Sequence, residues 1–268
     1  ERPDQERGRQ FLQDFDEGYQ ACGQRGAPQH RKVDITQNLG GAGPQNPRAG
    51  VHCRVYRDEP WPEPARRYAA MVTMVDRQLG EIQALLRELG LEENTIVFFC
   101  GDNGGNDYFT DKEHPRGFHG ANVNPKTGKA FRGRKGQLYE GGLRIPMIVR
   151  WSGKIEPGRV SDLLWYFPDV LPTLAEIAGA TPPGEIDGIS IVPELIGAAA
   201  AGRPQKQHPY LYWEFHERGG RQALRMGNWK LVKLNVTLPD RTTIELYNIA
   251  EDPSEENDLA EKHPEIVK

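Results

Sequence analysis

Thr95-Ile-Val-Phe-Phe-Cys-Gly-Asp-Asn-Gly-Gly105 is the stretch on which the fold turns. From Thr95 to Cys100 the chain is a continuous apolar, β-branched and aromatic run, the composition of a strand buried on both faces in a parallel sheet. It ends abruptly at Gly101, and Asp102 and Asn103 follow before two more glycines. In open α/β sheets ligands lie beyond the carboxyl ends of strands. The Asp102 carboxylate and the Asn103 amide oxygen therefore stand where a cation would be held, and hard oxygen donors suit Ca²⁺ or Mg²⁺ better than softer metals. Asn103-Gly104 is also a strong two-residue hairpin signal, but a hairpin needs a returning strand, and 105–120 shows no alternation.

Upstream, Tyr68, Met71, Val72, Val75, Leu79, Ile82, Leu85, Leu86 and Leu89 recur at three- and four-residue steps. That spacing predicts one apolar stripe on a helix of about 24 residues, starting near Ala65, stopped by Gly90 and covering a sheet. Helix, short turn, buried strand and ligand loop is the α/β order. Residues 1–64 are polar, carry Gly40-Gly41-Ala-Gly43-Pro44 and Trp61-Pro62-Glu-Pro64, and have no sustained period, so loop is expected there.

Downstream comes Gly133-Arg-Lys-Gly-Gln-Leu-Tyr-Glu-Gly-Gly142, whose Lys135 lies in a segment, 117–139, without an acidic residue but with Lys126, Lys129, Arg132 and Arg134 as well. A second strand is expected over Ile145–Trp151 and a short helix from Phe167 to Ile177, ending at Gly179. Beyond Pro182, His208–Phe215, Arg221–Met226, Trp229–Leu234 and Thr243–Tyr247 read as short strands separated by Gly219-Gly220 and Gly227-Asn228, with a closing helix from Ser254. The organisation expected is a loop-rich segment over 1–64, part of a main α/β domain over 65–181, and a small antiparallel subdomain with a terminal helix over 182–268.

Composition is that of an ordinary globular enzyme. Hydrophobic residues make up 37% of 268, enough for a core, and the net charge of −4 gives no global pull toward nucleic acid. No apolar run approaches the roughly 20 residues of a membrane span. Three cysteines, Cys22, Cys53 and Cys100, support neither a disulfide framework nor a zinc site, and Cys100 is expected to be a core thiol.

Four blocks in order carry a resemblance: GDNGG at 101–105; RKGQLYEGGLRIPMIVRWSGKIEPG at 134–158; FPDVLPTLAEIAG with DGISIVPEL between 167 and 195; ALRMGNWKLVKL with ELYNIAEDPSEENDLAEKHPEI between 223 and 266. From about Arg66 onward the chain resembles the C-terminal portion of the formylglycine-dependent sulfatases of the alkaline phosphatase superfamily. The resemblance implies Asp102 and Asn103 as metal ligands, with Ca²⁺ or Mg²⁺ as the cation. It implies Lys135 as the lysine that contacts the sulfate, stabilising charge on its oxygens as the S–O bond breaks. It also implies a formylglycine, in a C-x-[PA]-x-R setting, and two further aspartates from an upstream half that this chain does not contain. The chain reads as a fragment, inactive by itself, of an enzyme exported to the periplasm or secreted.

Cys53-Arg-Val-Tyr-Arg57 has the cysteine–arginine spacing of that signature, but Val55 stands where Pro or Ala is expected and the position in the chain is wrong. Substrate-side candidates are His216, His119 and Arg132; His114 is a weaker one. Lys126 and Lys129 read as solvated, and Glu140 with Arg144 as an ion pair holding the loop. The expected substrate is a sulfated small molecule or glycan, on the aromatic and polar character of loops such as Trp213–Arg218. Two other readings stay open: a phosphonate or phosphate ester hydrolase of the same superfamily, although the zinc-dependent members' Asp-His dipeptide is absent here, and a non-catalytic sugar-binding module.

Overall fold

The computed structural model of the chain describes residues 55–107, 110–117 and 120–268. They fall into two compact units, one of Glu1–Glu92 with Asp107–Gly120 and one of Glu93–Asn106 with Ala121–Lys268.

In the first unit, helix α1 spans Glu63–Glu88. Pro62 precedes it and Pro64 sits in its first turn, where a missing N–H costs nothing; Glu63 and Arg87 complement the dipole at its two ends. Exposed Glu63–Arg67 and Arg77–Glu81 pairs bridge successive turns. Gly90, with φ 67°, closes it. The helix is where periodicity placed it, yet only Ala65, Ala70 and Met74 are buried. Val72 and Val75 of the expected stripe are exposed, so among the described residues the stripe is only partly covered.

The second unit contains β1 (Val97–Cys100), α2 (Glu140–Leu143), β2 (Met147–Arg150), α3 (Val170–Ile177), α4 (Val192–Ile196), α5 (Ala198–Ala201), β3 (Leu211–Phe215), β4 (Arg221–Met226), β5 (Trp229–Leu234), β6 (Thr243–Asn248) and α6 (Pro264–Val267). β1 pairs antiparallel with β2, Val97 opposite Arg150 and Cys100 opposite Met147. The expectation of a parallel strand buried on both faces is thus corrected: all four residues are half-buried, because among the described residues a two-stranded ribbon gives β1 a neighbour on one edge only. Cys100 is a half-buried free thiol rather than a core one.

The other sheet is a meander in the order β3-β4-β5-β6, antiparallel throughout. β4 turns into β5 through Gly227-Asn228, where Gly227 takes φ 57° without steric cost. Its core joins Ala223, Val232, Tyr247 and Ile249 to Leu138 and Tyr139, so the 133–142 loop is packed into this sheet. α3 is held from below by Asp169, fully buried, which accepts hydrogen bonds from the Tyr166 and Ile189 backbone N–H groups and lies 2.8 Å from His208 Nε2. The helix expected from Ser254 is not there; turns run to His263 and only Pro264–Val267 is helical. Glu255 explains this, for its φ of 54° breaks a right-handed helix and its buried side chain is committed elsewhere.

Candidate active site

The site begins with a backbone weld. Beyond β1, Gly104 N–H donates to Gly142 O and Lys135 N–H to Gly105 O, each at 2.9 Å. The two loops approach so closely that a Cβ at Gly104 would stand 2.0 Å from Gly141 O and 2.7 Å from Gly142 Cα. Gly141 and Gly142 are equally confined, with Cβ positions 2.5 Å from Gly133 O and 2.0 Å from Gln137 O. Glycine is required at all three because the obstacles are backbone atoms that no rotamer change removes. The weld bonds the Lys135 backbone directly to Gly105, two residues past Asn103. Asn103-Gly104 is accordingly a loop end rather than a hairpin tip, since β1 is paired by β2 across the intervening chain.

Asp102 is exposed and Asn103 half-buried, and Asn103 Nδ2 donates to Asp102 Oδ1 at 2.7 Å. With the amide nitrogen turned inward to the carboxylate, the Asn103 oxygen is left as a donor atom beside Asp102. The pair therefore fits a hard divalent cation in chemistry, and supplies two of the roughly six to eight oxygens such an ion takes. No group of three or more His, Cys, Asp or Glu side chains able to hold a metal occurs among the described residues. The Lys135 side chain is exposed.

Behind these residues the loop is anchored by charge. Glu140 is buried; its Oε1 accepts from Lys230 Nζ at 2.9 Å and its Oε2 from Arg144 Nε at 2.9 Å, with Arg225 3.8 Å away. Burial alone would raise the Glu140 pKa, but Lys230, Arg144 and Arg225 outweigh it and hold the carboxyl below its ordinary value. Lys230, fully buried, is also 2.8 Å from Glu255 Oε1, an ion-pair contact off hydrogen-bond alignment, while Glu255 Oε2 accepts the Glu140 N–H at 2.7 Å. For Glu255 burial is the stronger influence, and its pKa is raised despite Lys230. The expected Glu140–Arg144 pair is thus one edge of a larger buried node.

Arg132 is part of a second anchor. It donates to the Tyr139 and Tyr247 hydroxyls and to Glu255 O, lies 3.4 Å from Glu245, and stacks 4.1 Å from the Tyr139 ring centroid. Both tyrosine hydroxyls donate to Glu245 Oε2 at 2.7 Å, and burial followed by that carboxylate pushes both phenols well above their usual range. Arg132 is engaged within the chain and also lines a cleft described below. Of the histidines, His216 is 86% exposed with Glu214 3.9 Å away. His114 Nδ1 is 3.0 Å from Asp111 Oδ1 in the first unit, and His119 lies outside the described residues, as does Cys53. Lys126 and Lys129 are both exposed, as expected, and Lys129 pairs with the equally exposed Glu256 at 2.6 Å.

A family model described as Sulfatase matches residues 6–180, and one described as N-sulphoglucosamine sulphohydrolase, C-terminal, matches residues 132–267. The chain belongs to the sulfatase family. It is 37% identical over 147 residues to the steryl-sulfatase of Mus musculus, covering 54% of this chain and 22% of that protein. To the N-acetylgalactosamine-6-sulfatase of Canis lupus familiaris it is 34% identical over 158 residues, covering 58% of this chain and 28% of that one. Among solved structures it is similar to Ps i-CgsB, determined in complex with k-i-k-neocarrahexaose, with a TM-score of 0.64, 26% identity, and coverage of 84% of this chain and 45% of that chain. The chain spans less than half the length of each of these relatives. Its α/β fold is that of the sulfatases in the alkaline phosphatase superfamily.

Lys230, Glu255 and Arg221 were not singled out from sequence. For Lys230 a signal existed: in Trp229-Lys-Leu-Val-Lys-Leu234 the period of two puts Lys230 on the face of buried Val232. A lysine on the apolar face of a strand calls for a buried carboxylate.

Proposed function

We propose that this chain is part of a sulfatase that hydrolyses sulfate esters on a carbohydrate. The observation that carries the reading is the weld that bonds the Lys135 backbone to Gly105, two residues past Asn103, so that the candidate cation and the two candidate oxygen donors sit on joined loops. Charge moves onto the bridging and peripheral oxygens as an S–O bond breaks, and an ammonium directed there stabilises it. Asp102 and Asn103 would hold part of a Ca²⁺ or Mg²⁺ ion. When bound, such an ion neutralises sulfate charge, and a formylglycine from outside this chain supplies the nucleophile. His216, exposed at the end of β3, is assigned to the substrate side; Arg132 is assigned first to holding the loop and then to the cleft it lines. A sulfated glycan as substrate and a periplasmic or secreted setting belong to the same reading. Among the described residues no helix is long and apolar enough to cross a membrane.

The test is made on the complete protein. Lys135→Ala is expected to lower kcat for an aryl sulfate by roughly 10²- to 10³-fold, the scale for losing one preorganised charge-stabilising donor. Lys126→Ala, which removes an exposed charge, should change only salt-dependent capture and by much less. Equal small effects at the two positions would sink the assignment of Lys135.

A further inference from the structure

On the far side of the Lys135 loop lies an open cleft of about 360 Å³, lined by Arg132, Gln137, Tyr139, Arg218, Arg221 and Asn235 among others. Its volume is within the range of small-molecule sites, about 300–1,000 Å³. Three arginines line it and no acidic residue does. Arg132 is met by Glu245 3.4 Å away, so the positive charge left for an anion at the cleft is that of Arg218 and Arg221.

The three arginines are held differently. Arg132 is fixed by Tyr139 and Tyr247. Arg221 donates through Nη1 to Gly136 O, the carbonyl directly after Lys135, and stands 5.7 Å from the Phe215 ring centroid. Arg218 makes no side-chain hydrogen bond or ion pair with a described residue, yet its backbone is held in the left-handed region at φ 55°, ahead of Gly219 at 86° and Gly220 at 75°. That turn is laced to the next one by Thr237 N–H donating to Gly219 O at 3.0 Å and Val236 N–H to Gly220 O at 3.2 Å. A non-glycine residue in this conformation is disfavoured and persists only where its surroundings impose it. The cleft rim thus presents an unpaired planar fork, the group best shaped for two-point binding of sulfate or carboxylate. The amides of Gln137 and Asn235 supply donors and acceptors for hydroxyl groups beside it.

We infer that this cleft binds a second anionic group, a sulfate or a uronate carboxylate, on a sugar next to the one whose sulfate is cleaved. The inference rests on the sulfatase reading for its substrate, but on the cleft for its site. Gly133 and Gln137 line the cleft and lie two residues either side of Lys135, so one short loop serves both positions. The enzyme is then selective for multiply charged chains over singly sulfated units.

The complete protein is titrated with a heparin-derived tetrasaccharide at low and moderate salt. Arg218→Asn removes the charge while tolerating the left-handed backbone. It is expected to weaken binding about 5- to 10-fold at low salt and to lessen the salt dependence, with Arg218→Lys retaining part of the affinity and Lys126→Ala within twofold of wild type. N- and O-desulfated and carboxyl-reduced tetrasaccharides name the anion: the derivative that keeps the Arg218-dependent share carries the recognised group. No binding by the wild type, equal binding by Arg218→Asn, or an Arg218-dependent share kept by neither derivative overturns the cleft. Aryl sulfate turnover by the wild type is read separately. Turnover with Arg218-independent binding removes the cleft alone, whereas Arg218-dependent binding without turnover removes the sulfatase reading alone.

Discussion

Lys230 occupies a position that strand alternation reserves for an apolar side chain, and it is tolerated there because Glu140 and Glu255 both meet its ammonium within 3 Å. Removing one partner of a buried pair leaves charge uncompensated and costs about 3–5 kcal/mol. Glu140→Gln in the complete protein should fall at the low end, about 3 kcal/mol, since Glu255 remains. The effect should depend on pH in a definite direction. The Glu140 pKa is lowered in the folded state from an ordinary 4.5, so its stabilisation is complete above that value and is lost as pH falls through the lowered one. Glu255, whose pKa is raised, contributes oppositely: its share favours folding at low pH and disappears as pH rises through the raised value. Denaturant midpoints of wild type and Glu140→Gln, compared from pH 7 downward, should differ most near neutrality and converge below about 4.5. A difference that stays constant or widens on acidification would show that Glu140 is not the charged partner of Lys230.

Elements differ in how plainly the sequence announces them. β4 and β5 were legible to the residue because alternation, aromatic content and the Gly227-Asn228 turn agree, and α1 because a long period outweighs local ambiguity. β1 was legible as a strand, but an apolar run does not encode the direction of its neighbour, and β2 pairs with it antiparallel from the far side of the 101–146 segment. The segment after Ser254 carries helix-forming residues, and only the tertiary demand on Glu255, which caps the Glu140 N–H and faces Lys230, turns it into a loop. At the proposed site, Asp102, Asn103 and Lys135 are candidates drawn from ordered blocks; the bond from Gly104 to Gly142 had no such signal, since backbone proximity leaves no mark beyond the glycines themselves. Those glycines give the element-scale prediction. Gly104→Ala would drive a methyl into the Gly141 carbonyl, and overpacking of this kind costs about 1–3 kcal/mol, here at the upper end because the obstacle is main chain. Gly184→Ala, where a Cβ meets nothing within 4 Å, should stay within about 0.5 kcal/mol of wild type. Chemical denaturation of both variants decides it, equal stabilities counting against the weld.

Across the molecule the second unit is unevenly consolidated. The β3–β6 meander and the 133–142 loop share a buried core, whereas the β1–β2 ribbon is half-buried and leaves Ile148 62% exposed, with Phe167, Leu171 and Leu174 exposed as well. A two-stranded ribbon is marginal by itself in water. The 101–105 loop therefore hangs from the weaker sheet at one end and is welded to the stronger at the other, through Gly104 and Lys135. This arrangement fixes the Lys135 backbone, and among the described residues Asp102 and Asn103 bring two oxygens where a calcium ion takes about six to eight. The 268-residue chain by itself is accordingly expected to bind Ca²⁺ no more tightly than the about 10⁻⁴–10⁻³ M of the weakest protein sites, and to turn over no aryl sulfate with the ion present. Calorimetric titration with Ca²⁺ reads the first part and a chromogenic sulfate the second, with the Lys135→Ala chain as the blank. Turnover above that blank would mean that a nucleophile and the remaining ligands lie within these residues, and Asp102, Asn103 and Lys135 would then have to be placed around a site assembled from this chain alone.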